Sequence, residues 1–252
     1  MKVLVFISFI FILGEGVAQT PKRIEAKYDL FWSDEFNGKI LDTTKWRYRG
    51  TGNQRQFASV SEDNCYLDGE GHLVIETTKK DSNYYVGQIG TQQTLMTRYG
   101  YFECRAKVNS QQGPHSAFWL QSPKIQLEIN DPKTAGAEID IFEYHRRRGV
   151  DEVHHAIHWN GYGEKKKNRH RKRDIDSLNV GFHTFGVEWT KNRYTFYVDG
   201  KKTWSTCRGV SRIEQYLILS MDLMGSGGDF SESVFPDGVT YDYVRVYKRL
   251  VP

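Results

Sequence analysis

Cysteine is scarce in this 252-residue chain, occurring only at Cys65, Cys104 and Cys207. The spacing of the three matches no metal-binding pattern, so the sequence offers no cysteine-based metal site. Their odd number leaves at least one thiol unpaired, and the sequence does not decide which pair, if any, forms a disulfide. We expect any one of these thiols to be buried and inert.

Other features are missing as well. The net charge is only +4, too small to indicate a general attraction to nucleic acid. There is no Asn-x-Ser/Thr acceptor, so nothing indicates N-glycosylation. No apolar run reaches the ~20 residues that a membrane-spanning helix needs. These absences leave no support for a nucleic-acid-binding protein or a membrane-spanning one.

The longest apolar run lies at the start of the chain. Lys2 precedes the apolar residues 3–13, and Gly16, Val17 and Ala18 provide a cleavage-type sequence. Residues 1–18 therefore predict a signal peptide, and residues 19–252 a secreted single domain. The alternative is a membrane-anchored N-terminus, which would need a longer run, of ~20 residues.

Aromatic residues, by contrast, are abundant: they make up 14% of the chain, including fifteen Tyr and six Trp. Such side chains suit sheets and can stack on sugar rings. Short alternating segments, such as residues 73–77 and 194–198, are separated by turn signals such as Asp68-Gly69. Many strands at close intervals, with few helical periods, predict an all-β sandwich. No internal repeat or second domain is visible.

The segment Glu138-Ile-Asp-Ile-Phe-Glu143 places three carboxylates within six residues. Its Ile and Phe content favours a β-strand. Alternation then puts Glu138 and Asp140 on one face and the two isoleucines in the core. Strict alternation would turn Glu143 towards the core. We therefore predict a β-bulge at residues 141–142, which returns Glu143 to the face of the other two.

Three carboxylates on one face are unfavourable, because like charges raise each other's pKa values. A glycosidase needs such a set, with one group ionised as nucleophile and one protonated as acid. Two other interpretations are open from spacing alone: a solvated acidic strand face and a calcium site.

The bulged pattern Glu-x-Asp-x-x-Glu resembles the signature of glycoside hydrolase family 16, in its laminarinase-like form. Similar segments occur at residues 31–38, 99–106, 117–120, 182–189, 197–200 and 242–247. The resemblance implies a β-jelly-roll sandwich of two curved antiparallel sheets with a concave substrate cleft. The chain departs from the pattern at Pro114-His115-Ser116, where laminarinases usually carry Trp-Pro, and at residues 217–223. These departures leave the sugar specificity open.

The resemblance also implies catalytic roles. Glu138 would be the nucleophile, and Glu143 would be the acid and then the base, with a pKa raised by its neighbours. Asp140 would hold and tune Glu138. Trp119 would face the cleft, although large aromatic side chains are usually core residues. Asn53 and Gln56 would contact sugar hydroxyls, although ordinary turn polarity explains them equally well.

One metal is implied and no other cofactor is expected. Asp242 matches a position where family members often bind a structural calcium on the convex side. Backbone carbonyls near Glu35 would complete that site with hard oxygen ligands.

Residues 153–159 contain three histidines on a further strand. Alternation places His154 and His158 on one face, and His155 and Trp159 on the other. Two histidines at this spacing could ligate a metal, but the third would point away. The resemblance indicates the strand beside the carboxylates, with His158 bonding substrate or tuning the site. A hydrogen-bonded core histidine is the alternative.

Two basic runs, residues 146–148 and 165–173, follow these two strands. Such runs are usually solvated loop surface. They could instead line the cleft, because arginine captures sulfate or carboxylate groups in a bidentate geometry.

The sequence therefore predicts a secreted, monomeric, endo-acting and retaining β-glycan hydrolase. Its substrate would be β-1,3-glucan of the laminarin type or β-1,3-1,4-glucan, with no nucleic-acid partner and no membrane partner after signal removal. One alternative is a hydrolase of a sulfated or acidic galactan, like an agarase or carrageenase. A second is a non-catalytic carbohydrate-binding protein on the same fold, against which the three carboxylates argue.

Overall fold

The computed structural model describes residues 20–147 and 152–250. The predicted signal peptide and Arg148 lie outside the described residues. Two short α-helices are present in the described part, α1 (Lys22–Glu25) and α2 (Pro132–Ala135). No helix described there is long and apolar enough to cross a membrane.

The described strands, in chain order, are β1 (Tyr28–Asp34), β2 (Arg47–Tyr48), β3 (Gln54–Arg55), β4 (Ala58–Val60), β5 (Cys65–Leu67), β6 (Leu73–Lys80), β7 (Asn83–Val86), β8 (Gln88–Gly90), β9 (Gly100–Lys107), β10 (Pro114–Gln121), β11 (Glu138–His145), β12 (Glu152–Trp159), β13 (Lys167–Asp174), β14 (His183–Trp189), β15 (Tyr194–Val198), β16 (Lys201–Thr206), β17 (Tyr216–Leu223) and β18 (Asp237–Arg249).

These strands form two sheets. The eleven-stranded sheet has the order β16-β15-β14-β9-β18-β6-β7-β4-β3, with β1 paired to β18 and β5 paired to β6. The seven-stranded sheet has the order β13-β12-β11-β10-β17-β8-β2. The predicted two-sheet sandwich is confirmed. One described pair, β4 with β7, is parallel rather than antiparallel, because β5 and β6 form the crossover between them.

The hydrophobic core lies between the two sheets. Trp46, Trp189 and Phe118 are fully buried there. A smaller cluster lies on the outer face of the eleven-stranded sheet, where the segment around α1 covers Tyr101 and Tyr197. Burying large aromatic side chains on both faces of this sheet stabilises it and fixes its register.

The carboxylate strand, β11, has the bulge that the sequence predicted. Asp140 lies opposite Ala156 on β12, and Glu143 lies opposite His154. Three steps along β11 therefore correspond to two along β12, which is the signature of one extra residue. The bulge prediction is confirmed, and the two isoleucines of the strand are fully buried.

The three cysteines are free. Cys65 and Cys104 are buried, as expected, and burial raises the pKa of both thiols. Cys207 is exposed, so the expectation of a buried thiol is wrong there. It directly follows β16, where the chain leaves the sandwich and no second layer covers it.

Candidate active site

A cleft of about 810 Å³ lies on the face of the seven-stranded sheet that points away from the core. Three neighbouring strands, β10, β11 and β17, supply much of its wall. The residues that line the cleft include Glu138, Asp140, Glu143, His115, Trp119, Gln121, Tyr162, Lys166, Ser220 and Asp222. The three carboxylates predicted to share a face therefore meet in one cleft.

Glu138 is held by a chain of polar side chains. The Tyr162 hydroxyl donates to Glu138, and the Gln121 amide donates to the Tyr162 hydroxyl at 2.6 Å. The Gln121 carbonyl in turn accepts from Arg49 at 2.8 Å and from Tyr216 at 2.5 Å. This chain fixes the Glu138 carboxylate at the cleft surface.

Asp140 lies behind Glu138 and is almost completely buried. The His158 Nε2 atom is 3.3 Å from Asp140 and 3.9 Å from Glu138. Burial, then the charges of Glu138 and Glu143, raise the pKa of Asp140 well above its ordinary value. Burial also raises the pKa of Glu138, although the Tyr162 hydrogen bond opposes this. The inner pair of carboxylates therefore retains a proton more readily than free side chains do.

The pKa of Glu143 is shifted in the opposite direction, below its ordinary value. Burial alone would raise the pKa of Glu143, but the contact with His115 at 3.3 Å, and the charges of His115, His158 and His154, lower it to about 2. The expectation of a raised pKa at Glu143 is therefore wrong for the free protein. The reason is His115, which stands where the family pattern usually has an apolar indole.

His115 itself is enclosed between two partners. Burial would lower its pKa, but the carboxylate of Glu143 outweighs burial and raises it. Its other ring nitrogen, Nδ1, lies 2.9 Å from the Met224 sulfur. His115 and Glu143 thus form a partly buried pair in which the shifts of the two pKa values favour the proton on the imidazole in the free protein.

Trp119 lines the cleft, whereas its neighbour Phe118 is fully buried in the core. The predicted orientation of Trp119 is confirmed. The indole Nε1 donates to the Ser220 hydroxyl at 3.0 Å, and the Arg49 guanidinium lies 5.5 Å from the ring centroid. Both contacts fix the plane of the indole at the cleft wall.

The two loop residues that were predicted to contact sugar hydroxyls, Asn53 and Gln56, lie in different places relative to the cleft. Gln56 lines the cleft, but Asn53 is not among the lining residues. Asn53 is exposed, and its backbone bonds to Gly50 and Val60 within a turn. The sugar contact of Asn53 stays a prediction, and ordinary turn polarity accounts for the contacts that Asn53 makes here.

The sequence did not predict a role for Arg55, which lies in the same loop. Arg55 lines the cleft and makes a bidentate pair with Asp222, at 2.7 and 3.1 Å. The two residues are separated by 167 positions, so no local pattern links them. In the sequence, Arg55 was marked only by its place in the polar loop, and Asp222 only by its place in residues 217–223, which depart from the family pattern.

The histidine strand β12 has the predicted faces. His158 joins the carboxylates, and His154 lies on the same face, 2.6 Å from Glu152. His155 is fully buried; its Nδ1 contacts the Ile141 carbonyl and its Nε2 contacts the Thr203 hydroxyl. Among the described residues, the group of side chains that could hold a metal is Glu138, Asp140 and His158, with ligand atoms within 4.8 Å of one another. His154 and His158 do not form a metal site together.

The cleft geometry can be compared with known protein families. A family model described as Glycosyl hydrolases family 16 matches residues 53–245. The chain belongs to glycosyl hydrolase family 16. This membership removes the solvated-strand interpretation of the carboxylates, because the bulged motif lies inside the matched region and inside the cleft.

Individual relatives agree with the family 16 assignment. The clotting factor G alpha subunit of Tachypleus tridentatus is 27% identical over 94% of this chain and 36% of its own length. Glucan endo-1,3-beta-glucosidase A1 of Niallia circulans is 28% identical over 88% of this chain and 38% of its own length. The chain thus spans little more than a third of these two relatives.

Among solved structures, a laminarinase from Flavobacterium sp. UMI-01 superposes on this family 16 protein with a TM-score of 0.75. It is 27% identical, and the match covers 87% of this chain and 100% of that chain. The predicted fold class is confirmed by this superposition over nearly the whole described sandwich.

The expected calcium position of this family 16 protein holds ion pairs. Asp242 lies on β18, away from the cleft, and accepts from Arg105 at 2.7 Å. Glu35 pairs with Arg245 through 3.0 and 2.7 Å contacts. Calcium prefers several oxygen ligands around one point, so these residues fit guanidinium groups better than the ion. Calcium binding at Asp242 stays a prediction.

The basic runs of this family 16 protein lie mostly outside the cleft. Residues 167–173 form the edge strand β13 rather than a loop, and Lys166 alone of the run 165–173 lines the cleft. Arg146 and Arg147 donate to the carbonyls of Ser110 and Ser226. The loop interpretation of residues 165–173 is wrong in structure, because seven of the nine, residues 167–173, pair with β12.

Proposed function

We propose that this family 16 protein is a retaining endo-β-glucanase that cleaves β-1,3-glucan or β-1,3-1,4-glucan. The observation that carries the proposal is the bulge in β11, which turns Glu138, Asp140 and Glu143 onto the cleft face together. A purely structural strand gains nothing from such a costly set of charges. The names of the Niallia and Flavobacterium relatives support the choice of a glucan substrate.

In the first step, the Glu138 carboxylate attacks the anomeric carbon while Glu143 protonates the leaving oxygen. A covalent glycosyl-enzyme forms and the aglycone departs. In the second step, the Glu143 carboxylate takes a proton from water, which attacks the anomeric carbon and releases Glu138. Asp140 keeps its proton and orients Glu138, and the Tyr162 hydroxyl supports the same carboxylate.

Glu143 must carry a proton before the first step, although the free protein keeps it ionised. The raised pKa of His115, 3.3 Å away, places the missing proton beside it. Transfer from the imidazolium to the carboxylate neutralises both groups. A substrate that excludes water from this pair favours the neutral form, because ion pairs lose solvation on burial.

The test measures reducing ends released from laminarin, lichenan, agarose and carrageenan by the wild type, Glu138→Gln and Glu143→Gln. We expect release from laminarin or lichenan, none by Glu138→Gln, and a loss of about 10²–10⁴ in kcat for Glu143→Gln. Glu152→Gln, on β12 but outside the cleft lining, is the matched control. Full turnover by purified Glu138→Gln would overturn the assignment, provided that laminarin binding is retained.

A sulfated or acidic galactan is the second candidate substrate. Lys166 supports it, since this cation lines the cleft and its charge acts on Glu138 and Asp140. Agarose and carrageenan in the same panel separate the two candidates. Faster release from carrageenan than from laminarin would put the galactan first.

Export and a monomeric state are also proposals. The polar start and apolar run of residues 1–18 support export. Terminal sequencing of protein recovered from a culture medium tests it, and we expect the chain to begin at Gln19. Size-exclusion chromatography tests the monomer.

A further inference from the structure

A second depression, of about 450 Å³, lies at the flank of the sandwich and shares no lining residue with the cleft. It lies where α2, the end of β12, the β14–β15 turn and the segment after β16 meet. Five cationic side chains line it: Lys133, Lys167, Lys191, Arg208 and Arg212. No carboxylate is among its lining residues. We name this depression the flank pocket.

The cations of the flank pocket are only partly balanced by a nearby acid. Among the described ion pairs, none includes Lys133, Lys191 or Arg208. The nearest acid in sequence, Asp131, caps α2 by accepting from the Lys133 backbone and the Thr134 hydroxyl, and its charge acts on Lys133 and Arg212. Most of the chain's cations are balanced by acids, since the net charge is +4. Such a local concentration creates a strong positive potential.

The positive surface continues along β13. Lys167, Arg169 and Arg171 lie opposite Trp159, Ile157 and His155 of β12, and therefore share the inward face of the sheet. The other sheet ends at β16, where Arg173 donates to the Thr203 carbonyl at 2.7 Å. Beyond that contact the inward face of β13 has no cover, and the side chains of Arg169 and Arg171 are exposed. Alternate side chains on a strand repeat every ~7 Å.

We propose that the flank pocket and the inward face of β13 bind an anionic polysaccharide, at a site separate from the catalytic cleft. Sulfate or carboxylate groups along an extended chain would meet the row of cations, and Arg208 and Arg212 offer bidentate contacts. A nucleic acid fits less well, because single strands bind by stacking bases on exposed aromatics. The aromatic side chain in the pocket lining is Trp159, and it is only 9% exposed.

The test is direct titration of the protein with dextran sulfate, polygalacturonate, uncharged dextran and an oligothymidylate of matched charge. The α-linked probes are not β-glucans, so turnover does not interfere. We expect both anionic glycans to bind, dextran not to bind, and affinity to fall as salt rises. Tighter binding to the oligothymidylate than to dextran sulfate would overturn the choice of a polysaccharide.

Two triple variants with equal charge change locate the site. Lys133→Ser/Lys191→Ser/Arg208→Ser removes three flank cations, and Lys27→Ser/Lys39→Ser/Lys80→Ser removes three exposed lysines elsewhere. Three exposed charge contacts predict about tenfold weaker dextran sulfate binding in the flank triple. The control triple is expected to lose less than about twofold. An equal loss in the two triples would show a net-charge effect and overturn the site.

A third variant separates the flank from the cleft. Lys166→Ser removes the cation of the basic run that lines the cleft, and we expect it to leave dextran sulfate binding unchanged. A loss confined to Lys166→Ser would place the anion in the cleft and overturn the proposal. Laminarin hydrolysis, measured on the same preparations, reports on the proposed function separately: the flank triple is expected to retain it fully.

Discussion

Replacing His115 by Asn tests how the proposed acid is tuned. The substitution removes the imidazolium that lies 3.3 Å from Glu143. Burial raises the pKa of Glu143, but His115 and its neighbours take it from 4.5 to about 2. A difference of one in pKa corresponds to about 1.4 kcal/mol, so the environment as a whole favours the ionised Glu143 carboxylate by roughly 3 kcal/mol. This is an upper value, because 28% of the Glu143 side chain is exposed to screening solvent.

Without the imidazolium, burial is the largest influence left on the Glu143 carboxylate. The pKa of Glu143 then rises, and Glu143 keeps its proton to higher pH. We expect the branch of the kcat/KM profile that Glu143 governs to move to higher pH by about one to two units. The assay is the initial rate on laminarin across the pH range, at substrate concentrations far below KM.

His145→Asn is the matched control. His145 lies on β11 with its ring 5.6 Å from that of His115, and burial lowers its pKa to about 4. It is therefore neutral at ordinary assay pH, and its removal is expected to leave the profile in place. A profile that is unchanged in His115→Asn, or that moves equally in both variants, would refute the role given to His115.

Three further outcomes are expected. If Glu138 is the nucleophile, its carboxyl group lies about 5–5.5 Å from that of the acid and the reaction retains the anomeric configuration. NMR at early times should then show the β-anomer of the product first. An initial α-anomer would contradict this role. His183 has a raised pKa, chiefly through its bond to Asp199, so its stabilisation is complete below about pH 6.5 and is lost as pH rises through the folded pKa. His183→Asn should therefore lower the free energy of unfolding by roughly 1 kcal/mol in acid and by less in alkali, and an equal loss at both pH values would argue against the pair. If calcium binds at Asp242 as predicted, it displaces Arg105 from that carboxylate, and thermal unfolding gives a higher Tm in calcium than in chelator; an equal Tm would count against the metal site.

The carboxylate strand was predictable because its information is local. Apolar residues alternating with carboxylates fix the faces of β11, and the three-residue gap before Glu143 requires a bulge. Alternation also placed Phe118 and Trp119 on opposite faces, and the family resemblance indicated that Trp119 is the one that faces the cleft. Family resemblance then added the cleft and the roles of the residues.

What the sequence did not predict depends on pairing between distant segments. The low pKa of Glu143 comes from His115 on the adjacent strand β10, where the two strands meet in register. Arg55 reaches Asp222 across 167 positions. Neither contact leaves a periodic signal, because each depends on which strands become neighbours.

The basic run at residues 165–173 was misjudged for a related reason. Composition showed its charge, and charge in a short run usually indicates a solvated loop. Seven of these nine positions, residues 167–173, instead lie in a strand, where each is opposite a residue of β12. That β13 is the last strand of its sheet is a property of the whole topology.

The position of β13 at the end of its sheet has a consequence for how copies of the protein behave together. One side of β13 has no neighbouring strand among the described residues, and an unpaired edge of this length can template growth of a sheet from one molecule to the next. Five of its eight residues are cationic and bring positive charge to this edge: Lys167, Arg169, Arg171, Lys172 and Arg173. Two such edges repel each other before their backbones can pair. The cations of β13 therefore oppose the association of molecules through this edge. Variants in which these cations are replaced by neutral residues should be checked for aggregation by light scattering before their binding is measured.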